Sequence, residues 1–222
     1  MRLLSRRVAD MAWLGVFLAV FAGPALAQTL VQNGQINGQL SGWTLNFGSA
    51  VADSFILAGS STLDEVEFGA WNYSGESTTA IDWAIVTGTP FGAQTVVASG
   101  TGAPVSDSFL YSNGFAFDVS VDSFSLPGVG LGPGTYYLEL QNAVTSGSNY
   151  AYWDINNGPS VAYVNTLGNV NGYLFPGSNS DAFLISGPGG ASTVLTPEPG
   201  TLALLVTGLL GLAGLRRRWS FS

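Results

Sequence analysis

The sequence predicts an all-β protein, an antiparallel β-sandwich that is jelly-roll-like, flanked by an N-terminal signal peptide and a C-terminal transmembrane-like helix. Apolar and polar residues alternate with a period of two in several runs, and Asn-Gly pairs separate some of these runs. The central part of the chain has no long apolar pattern of helical period and no repeat of fixed length, which disfavours helical bundles, propellers and solenoids. We expect about eight to ten strands in residues 28–187.

Three segments carry the alternation most clearly. In FAFDVSVD (115–122) we expect the Phe and Val side chains to face the core and the Asp and Ser side chains to face solvent. TYYLELQ (135–141) and IDWAIVT (81–87) show the same pattern. The pair Asn113-Gly114 predicts a hairpin between SFLYS and FAFDV, and LPGVGLGPG (126–134) is interpreted as a long connection.

The N-terminal residues 1–27 have the three parts of a secretory signal peptide. Arg2, Arg6 and Arg7 form a basic region, residues 11–22 are apolar, and Ala25 and Ala27 make a small-x-small cleavage site. We therefore expect signal peptidase to cut after Ala27. The alternative interpretation is an N-terminal membrane anchor.

Charge and composition exclude several functions for the body of the chain. There is no cysteine and no histidine, which removes thiol chemistry and the commonest general base and metal ligand. All basic residues lie in the two terminal segments, whereas all acidic residues except Asp10 and Glu198 fall between residues 28 and 197. Such an acidic body disfavours nucleic-acid binding. Its acidity fits either solubility outside the cell or divalent cation binding.

The C-terminal segment 197–219 combines a Pro-Glu-Pro triplet, a short apolar run and three arginines. As a helix, Leu202 to Leu215 would span only about 21 Å, less than the hydrocarbon core of about 30 Å, so it is a marginal membrane span. Arg216, Arg217 and Arg218 would remain cytoplasmic, which places the body outside. Pro197 and Pro199 favour an extended backbone on either side of Glu198. Residues 188–196 are interpreted as a flexible linker.

This tail closely resembles the PEP-CTERM sorting domain of exported proteins of Gram-negative bacteria. The resemblance covers about 25 residues. It implies that exosortase, a membrane-embedded enzyme, cuts near the motif after transient insertion of the tail in the inner membrane facing the periplasm. The body would then reach the cell surface or the medium, often in exopolysaccharide and biofilm systems. The element is also named the ice-binding protein C-terminal domain, but the body has no regular Thr array from which to infer ice binding.

Aromatic residues provide candidate carbohydrate contacts, because sugars stack on aromatic faces. Trp71 and Tyr73 have same-face spacing on a strand, as do Tyr150 and Tyr152, and Trp153 would lie on the opposite face from Tyr152. The polar stretch after Trp71 suggests that its ring is exposed. Core packing is the alternative for all of these residues, and it is the interpretation we favour for Trp83.

Acidic residues provide two further hypotheses. Asp154 and Asn156 in DINNG resemble half of a calcium loop, and an Asn-Gly turn after a strand is the alternative. A polysaccharide-active enzyme would need two facing carboxylates, for which Asp64, Glu65, Glu67, Glu76, Asp107 and Asp154 are candidates. No catalytic motif accompanies them, so we expect a non-enzymatic adhesion or exopolysaccharide-associated module without an obligatory cofactor. A permanently anchored periplasmic binding domain is a third possibility.

Overall fold

The computed structural model describes residues 27–36, 41–113, 116–166, 173–174 and 180–188. Within these residues the chain forms antiparallel β-strands and no helix, so no described helix is long and apolar enough to cross a membrane. The signal peptide and the C-terminal helix that we predicted lie outside the described residues. The strands are β1 (Gln28–Gln32), β2 (Gly42–Thr44), β3 (Ala50–Leu57), β4 (Ser61–Tyr73), β5 (Thr78–Gly88), β6 (Gln94–Pro104), β7 (Ser106–Ser112), β8 (Phe117–Leu131), β9 (Gly134–Thr145), β10 (Tyr152–Asn156), β11 (Ala162–Asn165), β12 (Tyr173–Leu174), β13 (Ser180–Asp181) and β14 (Phe183–Gly187).

These strands form two antiparallel sheets. The first sheet is built around β4, which pairs along its length with β8 on one side and with β14 and then β10 on the other. Strands β7, β1, β2 and β13 extend this sheet outward. The second sheet has the order β12-β11-β3-β9-β5-β6. The described residues thus confirm an all-β fold of two antiparallel sheets, while the jelly-roll connectivity stays a prediction.

The apolar core lies between the two sheets. Phe55 of the second sheet contacts Phe183 of the first, with ring centroids 6.5 Å apart, and Trp83 stacks on Phe124 at 6.2 Å. These contacts join opposite sheets, and the surrounding Leu, Ile and Val side chains are almost fully buried. Burying such apolar surface is the main favourable contribution to folding.

Alternation correctly predicted the buried faces of β5 and β9. Ile81, Trp83 and Ile85 are buried in the core, as are Leu138 and Leu140. The expectation that the opposite faces meet solvent was wrong in part, because Ala84 and Val86 of β5 and Glu139 of β9 are also buried. Strands β7 and β8, which flank Asn113-Gly114, pair antiparallel as predicted, while Gly114 itself lies outside the described residues.

Two predictions about β8 were wrong. Its cross-strand partners show that Ser120 and Asp122 lie on the same face as the core residues Ala70 and Phe68. We expected this side of the strand to face solvent, but it faces the interior. The interval interpreted as a long connection is mostly strand, because residues 126–131 continue β8 and the end of this strand pairs with the start of β4. Glycine-rich segments can remain extended when a neighbouring strand satisfies their backbone groups.

Asp122 is a fully buried carboxyl group in this interior. The Ser120 hydroxyl donates a hydrogen bond to Asp122 Oδ1 at 2.6 Å, and Asp107 is the cross-strand neighbour on β7. Burial raises the pKa of Asp122 to about 7, partly offset by hydrogen bonds from Ser120 and Thr78, while the charge of Asp107 raises it further. Asp122 is therefore protonated in the folded protein at pH values where it is ionised in the unfolded chain.

This pKa predicts a loss of stability as the pH rises. The contribution of Asp122 is fully present below its ordinary pKa of 3.8 and is lost as the pH passes through about 7. The complete change corresponds to an upper limit of about 4 kcal/mol in the free energy of unfolding. Asp122→Asn should flatten the pH dependence measured by urea unfolding between pH 4 and pH 8, whereas the half-exposed Asp64→Asn should not. An unchanged slope in Asp122→Asn would contradict the assignment.

Candidate functional site

A continuous line of aromatic rings crosses the outer face of the first sheet, and we call it the aromatic strip. Its rings contact one another in sequence, with centroid separations of 4.7 Å, 6.0 Å, 5.6 Å and 4.8 Å. It consists, in that order, of Phe47, Tyr150, Tyr152, Phe117 and Tyr73. Phe47 and Tyr150 are 55% and 45% exposed, and the other three rings are partly exposed. The strip is therefore well exposed at its Phe47 end and half-buried at its Tyr73 end.

Strand register explains why these rings share one face. Tyr73 lies directly opposite Phe117 across β4 and β8, and Tyr152 lies opposite Trp71 across β10 and β4. Directly opposed residues place their side chains on the same face of a sheet. The next pair along, Trp153 and Ala70, is buried in the core and so occupies the inner face. The strip therefore lies on the outer face.

The structure changes the roles of two residues that we predicted as carbohydrate contacts. Trp153 is 0% exposed and packs against Phe68 and Phe183, so it belongs to the core. Trp71 is on the strip's face but only 5% exposed, and its Nε1 donates a hydrogen bond of 2.8 Å to Asp154 Oδ1. The expected exposure of Trp71 was wrong, because neighbouring side chains cover its ring. It supports the strip from below by contacting Phe117.

Tyr73 was predicted together with Trp71, and it lies in the aromatic strip. Phe47 and Phe117 were not predicted as site residues. Phe117 was assigned to the core by its alternation, and Phe47 lies in a turn where no periodicity applies. The same-face spacing of Tyr150 and Tyr152 did indicate a pair, although Tyr150 lies just before β10 rather than within it.

A cleft of about 320 Å³ opens beside the exposed end of the strip, and Phe47 lines it. Ala143 and Val144 also line it, and the other lining residues are polar, namely Asn46, Asn142, Thr145, Ser148 and Asn149. Amides and hydroxyls both donate and accept hydrogen bonds, which suits a ligand rich in hydroxyl groups. The cleft thus places neutral hydrogen-bonding groups next to exposed aromatic rings.

Three residues that line this cleft have strained backbone conformations. Phe47, Asn142 and Ser148 have φ angles of 55°, 51° and 62°. A left-handed conformation costs an L-residue roughly 1–2 kcal/mol, and it is least expected for a bulky aromatic residue. Such strain concentrates at functional sites, where the surrounding structure maintains it. Here the Asn46 Nδ2 donates to the Asn149 carbonyl at 2.9 Å, which ties the turn of Phe47 to the loop before Tyr150.

The predicted calcium ligands Asp154 and Asn156 are both fully or almost fully buried at β10. Asp154 accepts the bond from Trp71, and Asn156 Oδ1 accepts a 2.8 Å hydrogen bond from the Gly158 N–H. Asn156 therefore closes a turn after the strand, which is the alternative interpretation of DINNG. No group of three or more Asp or Glu side chains within the described ranges is arranged to hold a metal ion. The calcium hypothesis for this pair stays a prediction, with the geometry favouring the turn.

The residues predicted for sorting and processing lie mostly outside the described part of the chain. These are Ala25, the motif Pro197, Glu198 and Pro199, and the arginines Arg216, Arg217 and Arg218. Ala27 is the first described residue and is exposed.

The strained φ angle of Phe47 predicts an unusual order of stabilities. Phe47→Gly should be more stable than Phe47→Ala by about 0.5–1 kcal/mol, because glycine adopts this φ angle without steric cost. Chemical unfolding would measure the difference. At Tyr150, which is not among the residues with positive φ, the order should reverse by a similar amount. If the alanine variant were more stable than the glycine variant at both positions, the backbone of Phe47 would not be strained.

Comparison with known families identifies one segment of the chain. Residues 195–218 match the family model of the PEP-CTERM protein-sorting motif. No curated protein matches the chain. The match confirms the sorting motif that we predicted from Pro197, Glu198, Pro199 and the terminal arginines. The motif marks an exported, membrane-transiting protein and implies processing by exosortase.

Proposed function

We propose that the protein is an exported, non-catalytic surface or matrix protein that binds extracellular polysaccharide through the aromatic strip. The observation that carries this proposal is the unbroken contact series from Phe47 to Tyr73, with its exposed end next to a polar cleft. Successive rings offer stacking positions for successive sugar units, and the amides and hydroxyls of the cleft offer hydrogen bonds. The ligand contacts are neutral, which suits an uncharged polysaccharide, because the acidic body would repel an anionic one.

The positions of the carboxylates support a binding role rather than a glycosidase role. Asp107 and Asp122 are direct neighbours across β7 and β8. Asp122 is enclosed in the sandwich interior while Asp107 is exposed, so the two do not face each other across an open groove. A glycosidase requires both carboxyl groups to flank the bond that is cut.

In this proposal the N-terminal 27 residues are removed by signal peptidase, and the tail holds the chain transiently in the inner membrane facing the periplasm. Exosortase then cuts near Pro197–Pro199, and the body passes to the cell surface or the medium. Adhesion within an exopolysaccharide matrix or biofilm is the role that follows.

The intact mass of the protein recovered from the cell surface and the medium tests the sorting step. We expect a chain that begins at Gln28 and ends near residues 197–200. Replacement of Glu198 by Ala, which removes the single charge of the motif, should leave full-length tails in the membrane fraction. Thr193→Ala in the linker should be processed normally. A mass from Gln28 to Ser222 found only in membranes would instead indicate a permanently anchored periplasmic domain.

Polysaccharide binding should depend on the exposed end of the strip. The double variant Phe47→Ala/Tyr150→Ala should weaken binding to exopolysaccharide from the producing cells by about tenfold or more, because aromatic anchors dominate interfaces. Affinity electrophoresis would measure the dissociation constant.

The matched control is Val96→Ala/Val97→Ala, which removes two exposed apolar side chains from β6 of the other sheet. It should bind like the original protein. Equal weakening in both variants, or none in the first, would remove the strip from the binding surface. Hydrolysis of the polysaccharide during the assay would favour the paired-carboxylate enzyme.

A further inference from the structure

The turn between β4 and β5, residues 74–77, connects the two sheets next to the aromatic strip. It follows Tyr73 directly, and the Glu76 N–H donates a 2.8 Å hydrogen bond to the Tyr73 carbonyl. Gly75, within this turn, has a φ angle of 84°, a left-handed conformation that glycine adopts without steric cost. Because β4 belongs to the first sheet and β5 to the second, both sheets fix the position of this turn.

On one side, the turn is bonded to the segment that carries Phe117. The Ser74 N–H donates a 2.9 Å hydrogen bond to the Ala116 carbonyl. The Gly75 N–H donates one of 2.8 Å to Asp118 Oδ2. The turn therefore holds the residues on both sides of this ring.

On the other side, the turn is bonded to the loop between β9 and β10, which carries Tyr150. The Ser146 N–H donates a 3.0 Å hydrogen bond to the Ser77 carbonyl, and the Ser77 N–H donates one of 3.2 Å to Ser146 Oγ. The Glu76 side chain reaches further along the loop, where its Oε1 accepts a hydrogen bond from Asn149 Nδ2. Because Asn149 immediately precedes Tyr150, this bond acts next to the exposed ring.

The Glu76 carboxylate also packs closely on the backbone of Gly147 in the same loop. A Cβ atom at Gly147 would overlap Glu76 Oε1 and would lie 2.6 Å from Oε2. Gly147 is not among the residues with positive φ, so the carboxylate rather than the backbone conformation requires glycine here. Any side chain at position 147 must therefore displace the carboxylate.

Other hydrogen bonds hold the loop from within. The Asn149 N–H donates a 2.9 Å hydrogen bond to Thr145 Oγ1, and the Thr145 hydroxyl donates one of 3.1 Å to the Asn149 carbonyl. These bonds fix the shape of the loop, whereas the bonds to the turn fix its place relative to Tyr73 and Phe117. Glu76 Oε2 is buried without a partner among the described residues, which is unfavourable. The contact of Glu76 with the loop therefore contributes more to position than to stability.

We propose that Glu76 is a positioning residue of the polysaccharide surface, which sets the ring of Tyr150 relative to the rest of the aromatic strip. This inference rests on the proposed function and adds to it a residue that acts through another side chain. Stacking on successive sugar units requires rings at fixed positions, and a surface that is already ordered loses less entropy on binding. Loss of Glu76 should therefore weaken binding through Tyr150.

Affinity electrophoresis of the full chain in mild detergent, with exopolysaccharide from the producing cells, tests this role. Glu76→Ala should raise the dissociation constant about 3- to 10-fold. Glu76→Gln keeps an acceptor oxygen for Asn149 and should stay within about twofold of the original protein. Gly147→Ala should weaken binding as Glu76→Ala does, because its Cβ displaces the carboxylate. Asp64→Ala removes the same charge near the other end of β4 and, as the control, should bind normally.

A double-mutant cycle separates positioning from general stabilisation. In the Tyr150→Ala background, Glu76→Ala should cause no further loss of affinity, because the ring that it positions is absent. Likewise, Glu76→Ala/Gly147→Ala should bind no more weakly than either single variant, since both changes remove the same contact. An equal loss from Glu76→Ala with and without the Tyr150 ring would overturn the inference.

Hydrogen exchange of the backbone amides tests the contact without any ligand. In Glu76→Ala, the amides of the loop from Ser146 to Ala151 should exchange about tenfold faster than in Asp64→Ala, because the loop opens more often. If the original protein binds no polysaccharide but this exchange rises, the proposed function fails and Glu76 still positions the Tyr150 loop. The inference is overturned if Glu76→Ala leaves the exchange unchanged, or if it leaves an affinity that depends on the strip unchanged.

Discussion

The sandwich buries carboxyl groups without any basic side chain to pair with them, and this constraint governs its polar interior. Asp53, Asp122, Asp154 and Asp181 are all fully buried. In most proteins buried acids of this kind are paired with Arg or Lys. Here hydroxyl, amide, indole and backbone N–H groups serve three of them instead, as when Ser120 donates to Asp122 or the indole of Trp71 donates to Asp154, whereas no described group bonds to the side chain of Asp181. Neutral donors do not cancel the negative charge of a carboxylate. Loss of hydration on burial is therefore the largest cause of the raised pKa values of Asp53, Asp122 and Asp181.

The same constraint links the interior to the surface sites. Asp154 fixes the indole of Trp71, and Trp71 packs under Phe117 in the aromatic strip, so a buried acid positions an exposed surface. Asp53 of the second sheet accepts hydrogen bonds from Asn33 and Asp181 of the first, so another buried acid holds the two sheets together at one end. Hydrogen bonds have directional geometry, whereas apolar contacts do not, and these acids therefore help to specify how the sheets meet.

Period-two alternation correctly predicted which face is buried in those strands whose inner face is wholly apolar. On β9, the inference that Leu138 and Leu140 face the core was correct, although Glu139 on the opposite face is also buried. It failed on β8 because Ser120 and Asp122 point inward, satisfied in part by each other. The hydrogen bond from Thr78 and the register against β4 both involve residues that are distant in sequence. Alternation alone does not contain this information, so it assigned the wrong face. Likewise Trp71 looked exposed from its polar neighbours, although Asp154 provides a buried partner far along the chain.

The two kinds of functional information in this chain differ in how they are encoded. A sorting motif is read by an enzyme as a short peptide, so its residues must be adjacent, and the family match spans only residues 195–218. The aromatic strip draws on three strands, a turn and a loop, and Phe47 contributes through a backbone conformation that no sequence pattern indicates. A surface of that kind exists only once the sheets have formed. This difference explains why the destination of the protein could be predicted from its sequence, whereas its binding surface required the fold.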